Sequence, residues 1–249
     1  MIILKSKREL ELMHESGKIA YSAMEKVAAA VRPGVTTKEL DKIAENEMIR
    51  LKAVPSFKGY GGFPASVCAS VNEEVVHGIP SDRRLEEGDI ISIDLGALYH
   101  GYHSDMARTF PVGAISKEHE QLIEVTKESF YRGLFFAVPG NRVGDISAGV
   151  QQYAESFGYG VVRDLVGHGV GRDLHEDPNV PNFTSRTRGP LLREGMTIAI
   201  EPMINMGTWQ VTFDNKNGWT VRAADGLYSA HYENTVAITD GEPVLLTMP

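Results

Sequence analysis

The chain has 249 residues, a formal net charge of −8 at pH 7, 42% hydrophobic and 23% charged residues. These values are typical of a globular protein with one large or two small domains. The acidic balance argues against nucleic acid as a specific partner, because phosphate binding needs clustered Lys and Arg. The only cysteine, Cys68, excludes an intrachain disulfide and a cysteine-based zinc site.

Neither a bilayer-spanning run nor a secretory signal is predicted. No apolar segment is long enough to cross a membrane, and the opening MIILKSKREL turns charged after a short apolar stretch. We therefore expect a cytoplasmic protein without a membrane partner.

The predicted elements alternate between helices and strands. Helix-forming residues fill about 7–31 before Pro33-Gly34, and the capping-box pattern of Thr36 and Glu39 opens a second helix to about residue 52. A glycine-rich loop, KGYGGFPAS, precedes strands at 67–71 and 90–95. Further helices are predicted at about 117–137 and 143–157, and further strands at 161–166, 197–200 and 235–238. Helix pairs that are each followed by strands predict an α+β layer architecture.

The chain contains an internal repeat. LEEGDIISID, ending at Asp94, recurs as LREGMTIAIE, ending at Glu201, and in both the acid lies six residues after the glycine. HSD, ending at Asp105, recurs as HYE, ending at Glu233; RPG recurs as VPG and HGI as HGV. Four matches in the same order predict a single domain over residues 1–249, built from two halves of about 1–115 and 116–249.

A pseudo-twofold between the halves would bring the four repeated acids together. Four buried carboxylates cannot all stay ionised, because like charges raise one another's pKa, whereas two divalent cations would balance them. His168, between glycines in GHGVG, adds a nitrogen ligand, and this donor set suits Mn, Fe, Co or Zn. Taken singly, each acid could be a turn or helix-cap residue, and His77, His168 and His175 could be packed histidines; the matched positions favour a metal site.

The motifs VNEEVVHGIPS, GHGVGRDLHEDP, IEPM and DGLYSAHYENT resemble those of type I methionine aminopeptidases, in the M24 metallopeptidase family, over essentially the whole chain. The resemblance implies the pita-bread fold, with paired helices on a curved, largely antiparallel sheet. It also implies removal of the initiator methionine from nascent polypeptides when the second residue is small. We expect a short bacterial-like form without an N-terminal extension, a monomer with only transient ribosome association.

The same resemblance implies roles for individual residues. Asp94 would chelate one metal ion, His168 with Glu201 the other, and Asp105 and Glu233 would bridge the two. A metal-bridging hydroxide would attack the scissile carbonyl, and Glu201 would shuttle the proton. The expected contacts to the substrate come from two histidines and four pocket residues: His77, His175, Tyr60, Phe63, Cys68 and Trp219.

Three positions depart from the family pattern, namely Gly61, Leu174 and Asn234, and none is an expected ligand. The alternatives are a proline-specific aminopeptidase P or prolidase, which carries an extra N-terminal domain for which we expect no room here, and a non-catalytic binding module. Loss of the acids would mark the module, yet all five expected ligands are present.

Overall fold

The computed structural model describes all 249 residues. It contains four helices, namely α1 (Lys7–Ala28), α2 (Thr37–Arg50), α3 (Lys117–Leu134) and α4 (Val143–Glu155). All four predicted helices are therefore confirmed, and each ends two or three residues earlier than predicted. The residues that directly follow each helix form a turn, and the predicted helix ends extended into these turns.

Capping boxes start both helices of the first half. The Thr36 hydroxyl accepts from the Glu39 backbone N–H at 3.2 Å, and the Glu39 carboxylate accepts from the Thr36 backbone N–H at 2.7 Å, as the sequence predicted. Ser6 and Glu9 form an equivalent box at the start of α1. Each box satisfies backbone donors that the first helical turn leaves without partners.

The strands are β1 (Val54–Pro55), β2 (Val67–Val71), β3 (Glu74–Val76), β4 (Ile90–Tyr99), β5 (Tyr102–Pro111), β6 (Gly160–Val161), β7 (Gly167–Gly169), β8 (Glu176–Val180), β9 (Thr197–Ile200), β10 (Met203–Asn205), β11 (Val211–Phe213), β12 (Val221–Ala223), β13 (Ser229–His231), β14 (Glu233–Ala237) and β15 (Val244–Leu245). Nine of them form one sheet, in the order β1-β4-β5-β14-β9-β7-β8, with β2 on β4 and β15 on β14. All of its pairings are antiparallel.

Strands from both predicted halves contribute to this sheet and meet where β5 pairs with β14, a boundary that we call the seam. Helices α1 and α2 cover the first-half strands through a core that includes Met24, Leu40 and Ile93. Helices α3 and α4 cover the second-half strands through a core that includes Phe130 and Ile198. The sheet with its paired helices is the architecture that the family resemblance implied. The division into two repeated halves within a single domain stays a prediction.

Two strand predictions were wrong in extent. The strand predicted at 90–95 continues to Tyr99, and β5 begins at Tyr102, so only His100 and Gly101 lie between β4 and β5. Both residues adopt positive φ, 49° and 81°, which is the backbone a two-residue hairpin turn requires. The strand predicted at 161–166 is reduced to the end of β6, because the chain leaves the sheet there to line the site.

No helix combines the length and apolarity needed to cross a membrane.

Candidate metal centre and active site

The four repeated acids converge near the seam. Asp94 lies on β4, Asp105 on β5 and Glu233 at the start of β14, while Glu201 follows the last residue of β9. The ladder pairs Ala107 with both Asp94 and Glu233, which brings the carboxylates of the two halves together. Strand periodicity explains the placement, since alternate residues of β4 such as Ile93 enter the helix-covered core and Asp94 faces the opposite side.

His168 completes this group. Its Nε2 lies 3.7 Å from Asp105 Oδ2 and 3.6 Å from Glu201 Oε1, and its Nδ1 lies 2.8 Å from the Gly169 carbonyl oxygen. Because that carbonyl can only accept, Nδ1 carries the proton, and Nε2, which faces Asp105 and Glu201, keeps a free lone pair that a cation could bind. Burial lowers the pKa of His168 to about 3, so the ring is neutral.

The glycines beside His168 allow the neighbouring backbone to approach. A Cβ on Gly167 would lie 2.4 Å from the Ala199 carbonyl oxygen, and one on Gly169 would lie 2.3 Å from the Asp177 carbonyl oxygen. Any side chain there would push the strands apart. The backbone on both sides of His168 is therefore packed too tightly for any residue except glycine.

The electrostatics of the cluster fit divalent cations. Burial raises the pKa of Asp94 to about 7. Burial, and then repulsion from the other acids, raises the pKa of Asp105, Glu201 and Glu233 well above the usual range. Buried carboxylate oxygens of Asp94, Asp105 and Glu233 have no hydrogen-bond partner. Unpartnered buried carboxylates that repel one another are costly unless cations neutralise them, so this donor set suits metal ions.

The possible ligand atoms fall into two groups that share one residue. Asp105, His168 and Glu233 form one group, and Asp94, His231 and Glu233 form the other; within each, the ligand atoms lie within 4.8 Å of one another. Sharing of Glu233 is the arrangement expected of a bridging carboxylate. The sequence reasoning did not select His231, although its position two residues before Glu233 puts both side chains on the same strand face.

Two threonine hydroxyls take the place of backbone hydrogen bonds at the seam. Thr235 Oγ1 accepts from the Asp105 N–H and donates to the Asp105 carbonyl, both at 2.9 Å. Thr109 Oγ1 accepts from the His231 N–H and donates to the His231 carbonyl, again at 2.9 Å. A hydroxyl can make both bonds at once, so each threonine satisfies the backbone of a residue in the cluster.

His77 and His175 both line the cavity that leads to the acids. The ring centroids of His175 and His168 are 4.0 Å apart, and His175 Nδ1 is hydrogen-bonded to the Tyr60 hydroxyl at 2.8 Å. That bond leaves His175 Nε2 free to meet a ligand. Burial lowers the pKa of His77 to about 4, and its φ of 57° is rare for a residue with a side chain.

The cavity has a volume of about 190 Å³. All four pocket residues of the sequence prediction line it, with Phe63 and Trp219 packed edge to face at a centroid distance of 5.2 Å. Burial raises the pKa of the Cys68 thiol, so that residue is a neutral part of the wall. Leu174 also lines the cavity, as do five residues that the sequence reasoning missed: Phe57, Val76, Leu165, Val166 and Met203.

The N-terminal segment holds the loop that carries His175. Lys5 Nζ lies 2.5 Å from Glu176 Oε2, and both side chains are almost fully buried. The other carboxylate oxygen of Glu176 accepts from the backbone N–H groups of Arg172 and Asp173. Lys5 thus neutralises the acid that fixes the turn before His175.

Comparison with known proteins agrees with this geometry. The model of metallopeptidase family M24 matches residues 11–240, and the chain belongs to that family. Among its relatives, the methionine aminopeptidase of Clostridium acetobutylicum is 56% identical over 100% of this chain and 99% of its own length. The crystal structure of methionine aminopeptidase from Rickettsia prowazekii superposes with a TM-score of 0.98 at 36% identity, covering 100% of both chains.

A more distant relative tests the alternative prediction. The prolidase from Pyrococcus furiosus has a TM-score of 0.81 and 28% identity, and the match covers 99% of this chain but 66% of the prolidase. The chain is thus similar over its full length to methionine aminopeptidases and to only part of a prolidase. The M24 relationship and the pita-bread fold predicted from the sequence are confirmed.

Proposed function

We propose that this protein is a metal-dependent methionine aminopeptidase, which hydrolyses the bond after an N-terminal methionine when the second residue is small. The observation that carries the proposal is the buried cluster of four carboxylates and an imidazole at one end of an apolar cavity. Full-length similarity to enzymes of that name supports the same conclusion.

The ligand assignment is the one that the family resemblance implies, and the sharing of Glu233 between the two groups of possible ligands supports it. Asp94 would hold one divalent cation, His168 and Glu201 a second, and Asp105 and Glu233 would contact both. Co, Mn, Fe and Zn all fit carboxylate and imidazole donors. Bound cations would activate water and polarise the scissile carbonyl.

The protein's own groups would move the proton and hold the substrate. Glu201 would take a proton from the attacking water and deliver it to the departing amide nitrogen. His175, oriented by its bond to Tyr60, would donate a hydrogen bond to the carbonyl oxygen as charge develops there. His77, across the cavity, would contact the substrate amide.

The apolar end of the cavity would accept the methionine side chain. Phe63 and Trp219 form an edge-to-face aromatic wall, with Tyr60 and Cys68 also in the lining. A thioether packs favourably against aromatic edges, and a flexible side chain adapts to an irregular cavity. The preference for a small second residue is the one that the family resemblance implies.

The proposed substrate also suggests the cellular setting. An enzyme that trims initiator methionine from nascent chains would work in the cytoplasm, in transient contact with the ribosome. We expect the enzyme to act as a monomer.

The test is an assay of metal-stripped protein with a Met-Ala-peptide. We expect release of free methionine only after Mn, Fe, Co or Zn is restored, and none from the same peptide with an acetylated N-terminus. An Ala-Pro-peptide distinguishes a methionine aminopeptidase from a prolidase or aminopeptidase P. Cleavage of that peptide without cleavage of the Met-Ala-peptide would overturn the substrate assignment.

A further inference from the structure

His231 is a buried imidazole without a hydrogen-bond partner at either ring nitrogen. Its exposure is 1%, and both nitrogens are unpartnered. Buried polar atoms are nearly always hydrogen-bonded, and an exception calls for an explanation such as an ion. Two carboxylates lie within 4 Å of Nε2, and neither is close enough to form a hydrogen bond.

His231 faces the acids as closely as His168 does. Its Nε2 lies 3.8 Å from Glu201 Oε2 and 3.8 Å from Glu233 Oε2. For His168, Nε2 lies 3.6 Å from Glu201 Oε1 and 3.7 Å from Asp105 Oδ2. Atoms that bind one cation at about 2.0–2.2 Å each are separated by such distances. The geometry that qualifies His168 as a ligand therefore qualifies His231 equally.

The backbone fixes His231 in this position. Residues 231 and 233 lie two apart, so their side chains project to the same face, and Thr109 holds both backbone groups of His231 across the seam. Thr109 Oγ1 also lies 2.8 Å from Ser92 Oγ on β4, two residues before Asp94. One chain of hydrogen bonds thus joins the strand of Asp94 to the strand of His231.

We propose that His231 is a further nitrogen ligand of the metal centre, on the side formed by Asp94 and Glu233. The inference rests on the proposed function, which requires that centre. One metal position would then have the imidazole of His231 and the other the imidazole of His168, and Glu233 would contact both metal ions. A nitrogen donor at both positions shifts the preference from oxygen-seeking cations such as Mn towards Fe, Co and Zn.

The test uses the full chain labelled with ¹⁵N-histidine and loaded with ¹¹³Cd²⁺, with NMR detection of scalar coupling between the metal and imidazole nitrogens. We expect two coupled histidines in the wild-type protein. His231→Gln should retain one and His168→Gln should retain the other, whereas His100→Gln, in the exposed β4–β5 turn, should retain both. If His231→Gln fails to fold, His77→Gln and His175→Gln should each retain both couplings, which leaves His231 as the second ligand. Loss of one coupling in either of these variants would overturn the role of His231.

The outcomes separate this inference from the proposed function. One coupled histidine in the wild type, which disappears in His168→Gln, would overturn the role of His231 and leave the metal centre intact. No coupled histidine at all would overturn the metal centre and both proposals. Calorimetric titration of the stripped protein with Co²⁺ adds a second readout, in which His231→Gln should weaken one binding event by roughly 100-fold or more.

Discussion

The two halves of the molecule deliver their acids in different ways. In the first half, Asp94 and Asp105 lie on β4 and β5, a continuous hairpin of two ten-residue strands with a two-residue turn. In the second half, Glu201 directly follows β9 and Glu233 begins β14. These two strands are neighbours in the sheet, and the chain between the two acids forms β10 to β13. The first half therefore holds both acids on one hairpin. In the second half, the chain between the two acids leaves the large sheet and returns to it.

That excursion supplies what the hairpin cannot. It carries Met203 and Trp219 to the cavity wall and His231 to the acids. It is also bound to the first half, because Arg222 of β12 forms an ion pair with Glu74 of β3 at 2.9 Å. This difference indicates that duplication accounts for the paired acids, and that the longer connection in the second half accounts for part of the cavity wall.

The largest expected effect tests the second-half acid. Glu201→Ala removes both a proposed ligand and the proposed proton carrier, so we expect kcat for a Met-Ala-peptide to fall by about 10⁴-fold. The control is Glu194→Ala, in the exposed turn before β9, which should retain full activity. Wild-type turnover by the Glu201 variant would refute the proton-transfer role and make the halves unequal in chemistry as well as in shape.

A smaller effect is expected where the N-terminal segment of the first half supports a second-half loop. Lys5→Met leaves Glu176 buried and unpaired, and we expect the free energy of unfolding to fall by about 3–5 kcal/mol. Urea denaturation measures this change, with exposed Lys7→Met as the matched control. If the two variants are equally stable, the loop that carries His175 does not depend on Lys5.

The smallest expected effect lies within the first half alone. Glu47, on α2, accepts two hydrogen bonds from Arg50 at 2.7 Å each and one from Ser22 of α1, and these bonds lower its pKa from 4.5 to about 2. A lowered pKa in the folded state means that the stabilisation is present above about pH 4.5 and is lost as the pH falls towards 2. We expect about 1 kcal/mol or less, since Arg50 is exposed.

Denaturation of the wild type and Glu47→Gln between pH 2 and 7 measures that contribution. The difference in stability should shrink as the pH falls, while activity at pH 7 stays unchanged. A difference that is independent of pH would show that the ion pair is not its source.

Much of this molecule could be predicted from sequence, because the repeat doubles each signal. The helices followed from periodicity and capping, as at Thr36, and the repeat selected the acids that the fold brings together. The extent of β4 was missed because the turn at His100 relies on a positive φ in a non-glycine residue. His231 was missed because its importance depends on which residues face it across the seam, which is a tertiary property that strand spacing only suggested.

The threonine hydroxyls at the seam have a consequence for assembly of the site. Each satisfies the N–H and the carbonyl of a single residue on the opposing strand, so a shift of either half by one position would break both bonds at both places. The same shift would turn Asp105 or Glu233 to the other face of the sheet. Thr109 and Thr235 therefore fix the register between the strands of the two halves, and the same register places the acids correctly.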